Sequence, residues 1–148
     1  MSVSLYGSGQ TVLQVVFAQN NTATSTSSST YINSGLTATI TPQSTTSKIL
    51  IIVNMTDVER QSSASTYGTF QITRNGTSVL VFCKEGGYVA AAGSSLSFAE
   101  GATYLDSPAT TSATTYTIQF ASQTNTAAIQ LNASGAYSTL TLMEISGS

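Results

Sequence analysis

The 148-residue chain has no histidine, no tryptophan, one cysteine and two prolines, and only 7% of its residues are charged. Each shortage removes a class of function. Without histidine, and with Cys83 as the sole thiol, the chain cannot by itself build a Ser-His-Asp or Cys-His triad, a histidine-bearing zinc site or an iron–sulfur site. A lone cysteine also excludes an internal disulfide, so stability has to come from packing or from assembly with other subunits. Four basic residues, Lys48, Arg60, Arg74 and Lys84, are scattered along a chain of net charge −2. They cannot form the dense positive patch that a nucleic-acid backbone requires. The longest apolar run, Ile49 to Val53, is far too short to cross a bilayer, and the N-terminal residues have neither a basic start nor an apolar signal core. No nucleic acid, no membrane and no cofactor is expected as a partner, and synthesis in a cytoplasm is.

What is present points to β-structure. Hydrophobic residues make up 41% of the chain, enough for one core, and roughly a third of all residues are Ser or Thr, so hydroxyls supply most of the polar surface. Apolar residues recur at alternate positions from end to end, the period of strands with one dry face. Val12 to Phe17 is the first such stretch, and Asn20 to Ser29 after it is polar enough to be expected as a surface loop. Leu36, Ala38 and Ile40 then share one face against Thr37, Thr39 and Thr41, and Pro42 stops the ladder. Phe70, Ile72 and Arg74 lead to Asn75-Gly76, the chemistry of a tight hairpin turn, and Val79 to Phe82 forms its return strand. Glu85-Gly86-Gly87 marks a turn, Tyr88 to Ser94 a flexible or closely packed loop, and Phe98 to Leu105 a further strand. Tyr116, Ile118 and Phe120 alternate with threonines and a glutamine, Ile129 and Leu131 mark another strand, and Thr139 to Ile145 closes the pattern. No stretch has helical spacing. The expectation is an all-β antiparallel fold of about eight to ten strands, with an N-terminal arm over residues 1–10 and one domain over 11–148.

The run Ile49, Leu50, Ile51, Ile52, Val53 breaks the alternation, being apolar on both faces of any strand it forms. Both faces then need cover, and a neighbouring subunit is the favoured one, which makes these five residues the expected subunit interface. Cys83, beside an apolar run, reads as a small buried thiol. Arg74 and Glu144 each occupy a position where strand parity calls for an apolar residue, and they are expected to meet as a structural ion pair that holds register. The other readings of that pair are two independently exposed charges, or an acid and an electrophile acting on a ligand.

Asp57 and Glu59 share a parity with Arg60 beside them, a minimal acid pair for proton transfer or a hard cation, but a solvated loop accounts for them more simply. Asp106, flanking Tyr104 with Glu100, reads as a turn residue. The Asn-x-Ser/Thr matches at Asn20, Asn54, Asn75 and Asn132 are what a chain this rich in Ser and Thr yields by chance. Tyr6, Tyr31, Tyr67, Tyr88 and Tyr137 lie in or near expected loops, where they could form a sugar-binding platform or anchor loops and subunit contacts. No catalytic set emerges, and the chain is not expected to be an enzyme.

Several stretches in order resemble a family of small virion proteins of tailed bacteriophages, especially phages of marine and freshwater bacteria. They are Val12-Leu13-Gln14-Val15-Val16, Ser47-Lys48-Ile49-Leu50-Ile51, Phe70-Gln71-Ile72-Thr73-Arg74-Asn75-Gly76, Tyr104-Leu105-Asp106-Ser107-Pro108 through Thr114-Thr115-Tyr116, and Leu140-Thr141-Leu142-Met143-Glu144-Ile145. The resemblance implies a jelly-roll β-sandwich that assembles as a homotrimer, either a cement or decoration protein on the major capsid protein or a tail-fibre module; exposed Tyr, Asn and Ser side chains make host surface glycans the expected ligand in the second case. It carries over no catalytic residue and implies a place on the virion, after synthesis in the host cytoplasm, without deciding between head and tail. Because the β-pattern starts within about ten residues of Met1 and no long shaft is evident, the capsid role is favoured. The segment containing Ser2, Val3, Leu5 and Tyr6 is then the candidate arm that orders on the capsid, with a frayed terminus as its alternative.

Overall fold

The computed structural model describes residues 9–61, 66–88, 94–123 and 127–147. Among the described residues there are ten strands and no helix: β1 (Val12–Asn20), β2 (Thr24–Thr26), β3 (Ile32–Ile40), β4 (Lys48–Arg60), β5 (Gly68–Arg74), β6 (Thr77–Gly86), β7 (Leu96–Asp106), β8 (Thr114–Ser122), β9 (Ile129–Leu131) and β10 (Ser138–Ile145). They form two antiparallel sheets. The larger runs β1-β10-β4-β9-β2, with β7 on the other edge of β4, and the smaller runs β3-β8-β5-β6. Leaving aside the three-residue strands β2 and β9, the layers read β1-β10-β4-β7 and β3-β8-β5-β6. Each long strand but one is followed along the chain by a long strand of the other sheet, so the connections wrap around the core. The exception is the β5–β6 hairpin, where Asn75 and Gly76 have φ of 48° and 85°. Two successive positive φ values are what a tight hairpin turn needs, and glycine supplies the second without steric cost.

One core lies between the inner faces. It is built from Leu36, Ala38 and Ile40 of β3, Ile49, Ile51, Val53, Met55 and Val58 of β4, Phe70 and Ile72 of β5, Tyr116, Ile118 and Phe120 of β8, and Leu140 and Leu142 of β10, with Ile129 and Leu131 of β9. The alternation read from these segments is the alternation observed: β3 from Asn33 onward and β10 throughout switch between buried and accessible at every residue.

The apolar run in β4 behaves differently from the expectation that all five residues face a neighbour. Ile49, Ile51 and Val53 are buried in the chain's own core, and only Leu50 and Ile52 lie on the outer face, half-buried. Period two assigns them so, because adjacent side chains on a strand cannot share a face. Asn20 to Ser29 also departs from expectation: Thr24–Thr26 is a strand paired with β9. Its ladder consists of backbone hydrogen bonds at a sheet edge, which need no apolar pattern and leave none in the sequence. Likewise Asp57 and Glu59 are not in a loop, since β4 continues through Arg60 after a register shift between Met55 and Val58. The arm residues Ser2, Val3, Leu5 and Tyr6, and residues 89–93 of the expected Tyr88–Ser94 loop, lie outside the described residues.

The parity of β4 sets a direct expectation. Ile51→Ala should destabilise the isolated subunit by about 2–5 kcal/mol through the cavity it leaves, and Leu50→Ala by less than about 1 kcal/mol. Urea unfolding of the two variants, followed by circular dichroism under monomeric conditions, measures the difference.

Candidate functional site

The two outer faces of the molecule are chemically opposite. On the six-stranded sheet the inner positions of β1 are Gln14, Val16 and Ala18, which leaves Leu13, Val15 and Phe17 pointing away from the core. Val15 and Phe17 are 55% and 59% exposed. The register carries this parity across four strands. Val15 stands opposite Met143, Met143 opposite Leu50, and Leu50 opposite Leu105, giving an unbroken apolar row from β1 to β7. The next row is Phe17, Thr141, Ile52 and Thr103, and the one beyond is Gln19, Thr139, Asn54 and Gly101. The face thus grades from apolar to polar along the strands. Between Lys48 at one end of β4 and Asp57 towards the other it carries no charge.

The four-stranded sheet turns a hydroxyl and amide face outward. Thr39 and Thr115 hydroxyls lie 2.7 Å apart and those of Thr37 and Thr117 2.9 Å, while the Thr73 hydroxyl donates to the Thr117 carbonyl. Gln71 Nε2 donates to Gln119 Oε1 and Gln119 Nε2 to Asn33 Oδ1, both at 2.8 Å, so one amide chain crosses three strands. These groups satisfy one another; those on β3 and β8 are accessible, while Gln71 and Thr73 on β5 are buried beneath their neighbours.

Several charged residues serve the fold. Arg74 does not pair with Glu144. Its Nη1 donates to both carboxylate oxygens of Asp106, at 3.0 and 2.9 Å, and Tyr116 OH donates to Asp106 Oδ2 at 2.6 Å. Glu144 accepts from Gln14 Nε2 at 2.6 Å and from the backbone N–H of Gln43 at 2.7 Å. The reason is strand order. Gln14, Glu144, Ile49 and Asp106 form one inward-facing row, in which β4 separates the two carboxylates by two strand spacings, about 10 Å. Arg74, on β5 beside the β6 edge, lies over β7, whereas Glu144 lies under β3 and its following loop. Parity showed that both charges point inward but not which strand of the other sheet each one meets. Asp106, expected to serve a turn, is the partner instead.

Burial pushes the Glu144 carboxyl up, but the donors from Gln14 and Gln43 outweigh it and hold the group below its usual value. Burial and the adjacent carboxylate push the Tyr116 phenol well above its ordinary range, so it stays a proton donor. Burial first, then the nearby Glu100 carboxylate, pushes the Cys83 thiol up to about 11. Its Sγ lies 3.4 Å from Glu100 Oε1, and the thiol is half-buried, not fully enclosed as expected. A thiol held protonated in this way is a poor nucleophile. Asp57 Oδ2 accepts from the N–H and hydroxyl of Ser134 and so fixes the turn after β9. Arg60 is fully buried and donates to the carbonyls of Gln61 and Ser94. Among the described residues no three potential metal ligands cluster. Of the asparagines in glycan-acceptor patterns, Asn20, Asn75 and Asn132 hydrogen-bond to neighbouring backbone.

Of the tyrosines, Tyr31 and Tyr67 come together in one cleft, and Tyr88 packs edge-on against Tyr67 with ring centroids 5.9 Å apart. Tyr137 stands exposed just before β10, away from them, and Tyr6 lies outside the described residues. The residues that sequence reasoning missed on the apolar face are Val15, Phe17, Met143 and Leu105. Each is an apolar residue at the non-core parity of its own strand, and they become one surface only through the order β1-β10-β4-β7.

Two expectations follow for the buried charges. A double-mutant cycle of Arg74→Met with Asp106→Asn should show coupling above about 0.5 kcal/mol, whereas Arg74→Met with Glu144→Gln should be additive. Denaturant midpoints measure both. Because the folded carboxyl of Glu144 titrates below the unfolded value of 4.5, the stability it adds is complete above that pH and is lost as pH falls through the folded value. Glu144→Gln should cost about 1–3 kcal/mol at pH 7 and flatten this part of the acid limb of a stability–pH profile.

The chain matches no protein-family model, and no curated protein resembles it at a significant level.

Proposed function

We propose that this chain is a non-catalytic structural protein of a bacteriophage virion, a homotrimeric cement or decoration protein that braces the major capsid protein at the capsid surface. The observation that carries the reading is the charge-free apolar row Val15, Met143, Leu50 and Leu105 on the outside of the six-stranded sheet. Water-facing sheets are normally polar on that side, as the four-stranded sheet is here. Leaving such a row bare is unfavourable by the ordinary cost of wetting apolar surface.

The size of the patch argues for more than one contact. Four strands about 4.8 Å apart and the two rows that begin at Val15 and Phe17 make an area of roughly 15 by 14 Å, on the order of 200 Å². A stable two-body interface takes about 800 Å² from each partner. Three copies meeting around an axis, resting on a shell beneath, bury the face from several sides and add the area that one flat pairing lacks. The strand order β1-β10-β4-β7 over β3-β8-β5-β6 supports a jelly-roll reading of the two sheets, an architecture common in viral coats and lectins. In this role the protein acts mechanically. Contacts spread across capsid-subunit junctions add to the free energy needed to open the lattice, and no turnover is involved.

Light scattering on the purified chain at micromolar concentration should give a mass about three times 15.3 kDa. Val15→Asp with Leu50→Asp should reduce it to the monomer without loss of β-structure, and should abolish co-sedimentation with purified phage heads. A wild-type chain that stays monomeric and never sediments with heads, or antibody label confined to the tail, overturns the proposal.

A further inference from the structure

We infer that the cleft between Tyr31 and Tyr67 is a binding site for a neutral saccharide. The cleft has a volume of about 340 Å³ and opens on the outer side of the four-stranded sheet. That size falls at the lower end of small-ligand sites, suited to one or two sugar rings. The inference does not depend on the assembly reading, because this side of the molecule remains accessible when the apolar face is covered.

Local register builds the cleft. Phe70 pairs with Cys83 and the next residue, Gln71, with Val81, so β6 bulges there. Phe82 and Cys83 both pack against the core, with the Phe82 ring 6.1 Å from that of Phe70. The extra residue restores outward parity to Lys84 on one side of the bulge and Val81 on the other, bringing both beside Thr69, and all three line the cleft. Tyr31 reaches the same place from the start of β3. Its phenol lies 2.9 Å from Thr69 Oγ1, and Thr69 Oγ1 donates to the Cys83 carbonyl at 3.0 Å. With the threonine proton committed, the Tyr31 phenol is the donor to Thr69, and its own oxygen keeps lone pairs for an incoming hydroxyl. Tyr67 is held through its carbonyl, which accepts from Gln123 N–H at 3.1 Å, and through the edge contact of its ring with Tyr88. Both rings are therefore positioned before any ligand arrives, which lowers the ordering cost of binding.

The chemistry of the lining selects the ligand class. Two tyrosine rings line the cleft, and an aromatic face suits the C–H side of a pyranose, while Lys84 has donors, Glu85 acceptors and the Gln123 side chain both. The two formal charges cancel, so nothing here favours an anion such as a phosphate or an acidic sugar, and the polar rim disfavours a purely apolar ligand. Alternating apolar faces and hydroxyl edges with no net charge is the description of a neutral hexose unit.

The test titrates the full chain with a panel of neutral hexoses, N-acetylhexosamines and their disaccharides, alongside sialic acid and a nucleoside monophosphate, using amide chemical shifts as the readout. At least one neutral sugar should bind saturably, with shifts at Thr69, Lys84 and Gln123. Tyr67→Ala should weaken that binding at least about tenfold and Tyr67→Phe should retain it. Tyr137→Ala should leave it unchanged. If Tyr67→Ala fails to fold, Lys84→Ala with Gln123→Ala, at two exposed positions, takes its place with the same expected loss. No saturable binding of any neutral sugar, binding of the anionic probes alone, or sugar binding untouched by the cleft variants overturns the inference, and each outcome is independent of whether the chain is trimeric.

Discussion

Two carboxylates in one inward-facing row of the six-stranded sheet close one end of the core. Glu144 reaches the loop after β3 through the Gln43 amide, and Asp106 reaches β5 and β8 through Arg74 and Tyr116. Ile49 sits between them and continues the apolar interior. A chain with ten charged residues, Lys and Arg together with Asp and Glu, has placed three of them here. Each carboxylate is repaid for leaving water by several donors, without which a buried charge would be strongly destabilising. The sheets are thereby tied at a fixed offset, and the register of β10, β4 and β7 on the outer face is fixed with it. The apolar row inherits its geometry from that alignment, whereas the tyrosine cleft at the other end of β5 and β8 is shaped by the bulge in β6.

The two outer faces divide the work of the molecule. One sheet presents hydroxyls and amides already bonded to each other; the other presents Val15, Phe17, Leu50 and Leu105 with no charge among them. The two faces thus differ in kind, although the chain folds around a single core. The saccharide cleft lies on the polar side, so covering one face and binding through the other are compatible.

Much of the fold was legible in the sequence because period two is a local signal. Leu36, Ala38 and Ile40, or Tyr116, Ile118 and Phe120, announce their strands and their buried faces without reference to anything distant, and Asn75-Gly76 announces its turn. The strands that carry no apolar pattern, such as Thr24–Thr26, were invisible because backbone pairing alone defines them. The partner of Arg74 was illegible for a different reason. Parity says that a side chain points inward, but the choice between Asp106 and Glu144 is made by which strand lies opposite, a property of the whole topology. The apolar outer row follows the same logic. Leu50 and Ile52 stood out within an unbroken run, whereas Val15, Met143 and Leu105 each looked like ordinary scatter until four strands were laid side by side. The cleft needed still more, since a bulge in β6 and a phenol reaching from the start of β3 leave no spacing signature.

The threonine and amide ladder of the four-stranded sheet has a consequence for the medium in which the molecule can work. Surfaces that stay wet through ionised groups lose part of their mutual repulsion as dissolved ions shorten the Debye length, from about 30 Å in dilute solution to about 3 Å at molar concentration. Hydration by Thr37, Thr39, Thr115, Thr117 and Gln119 involves no net charge to be screened. The hydration these groups provide is therefore not weakened by screening as the salt concentration rises.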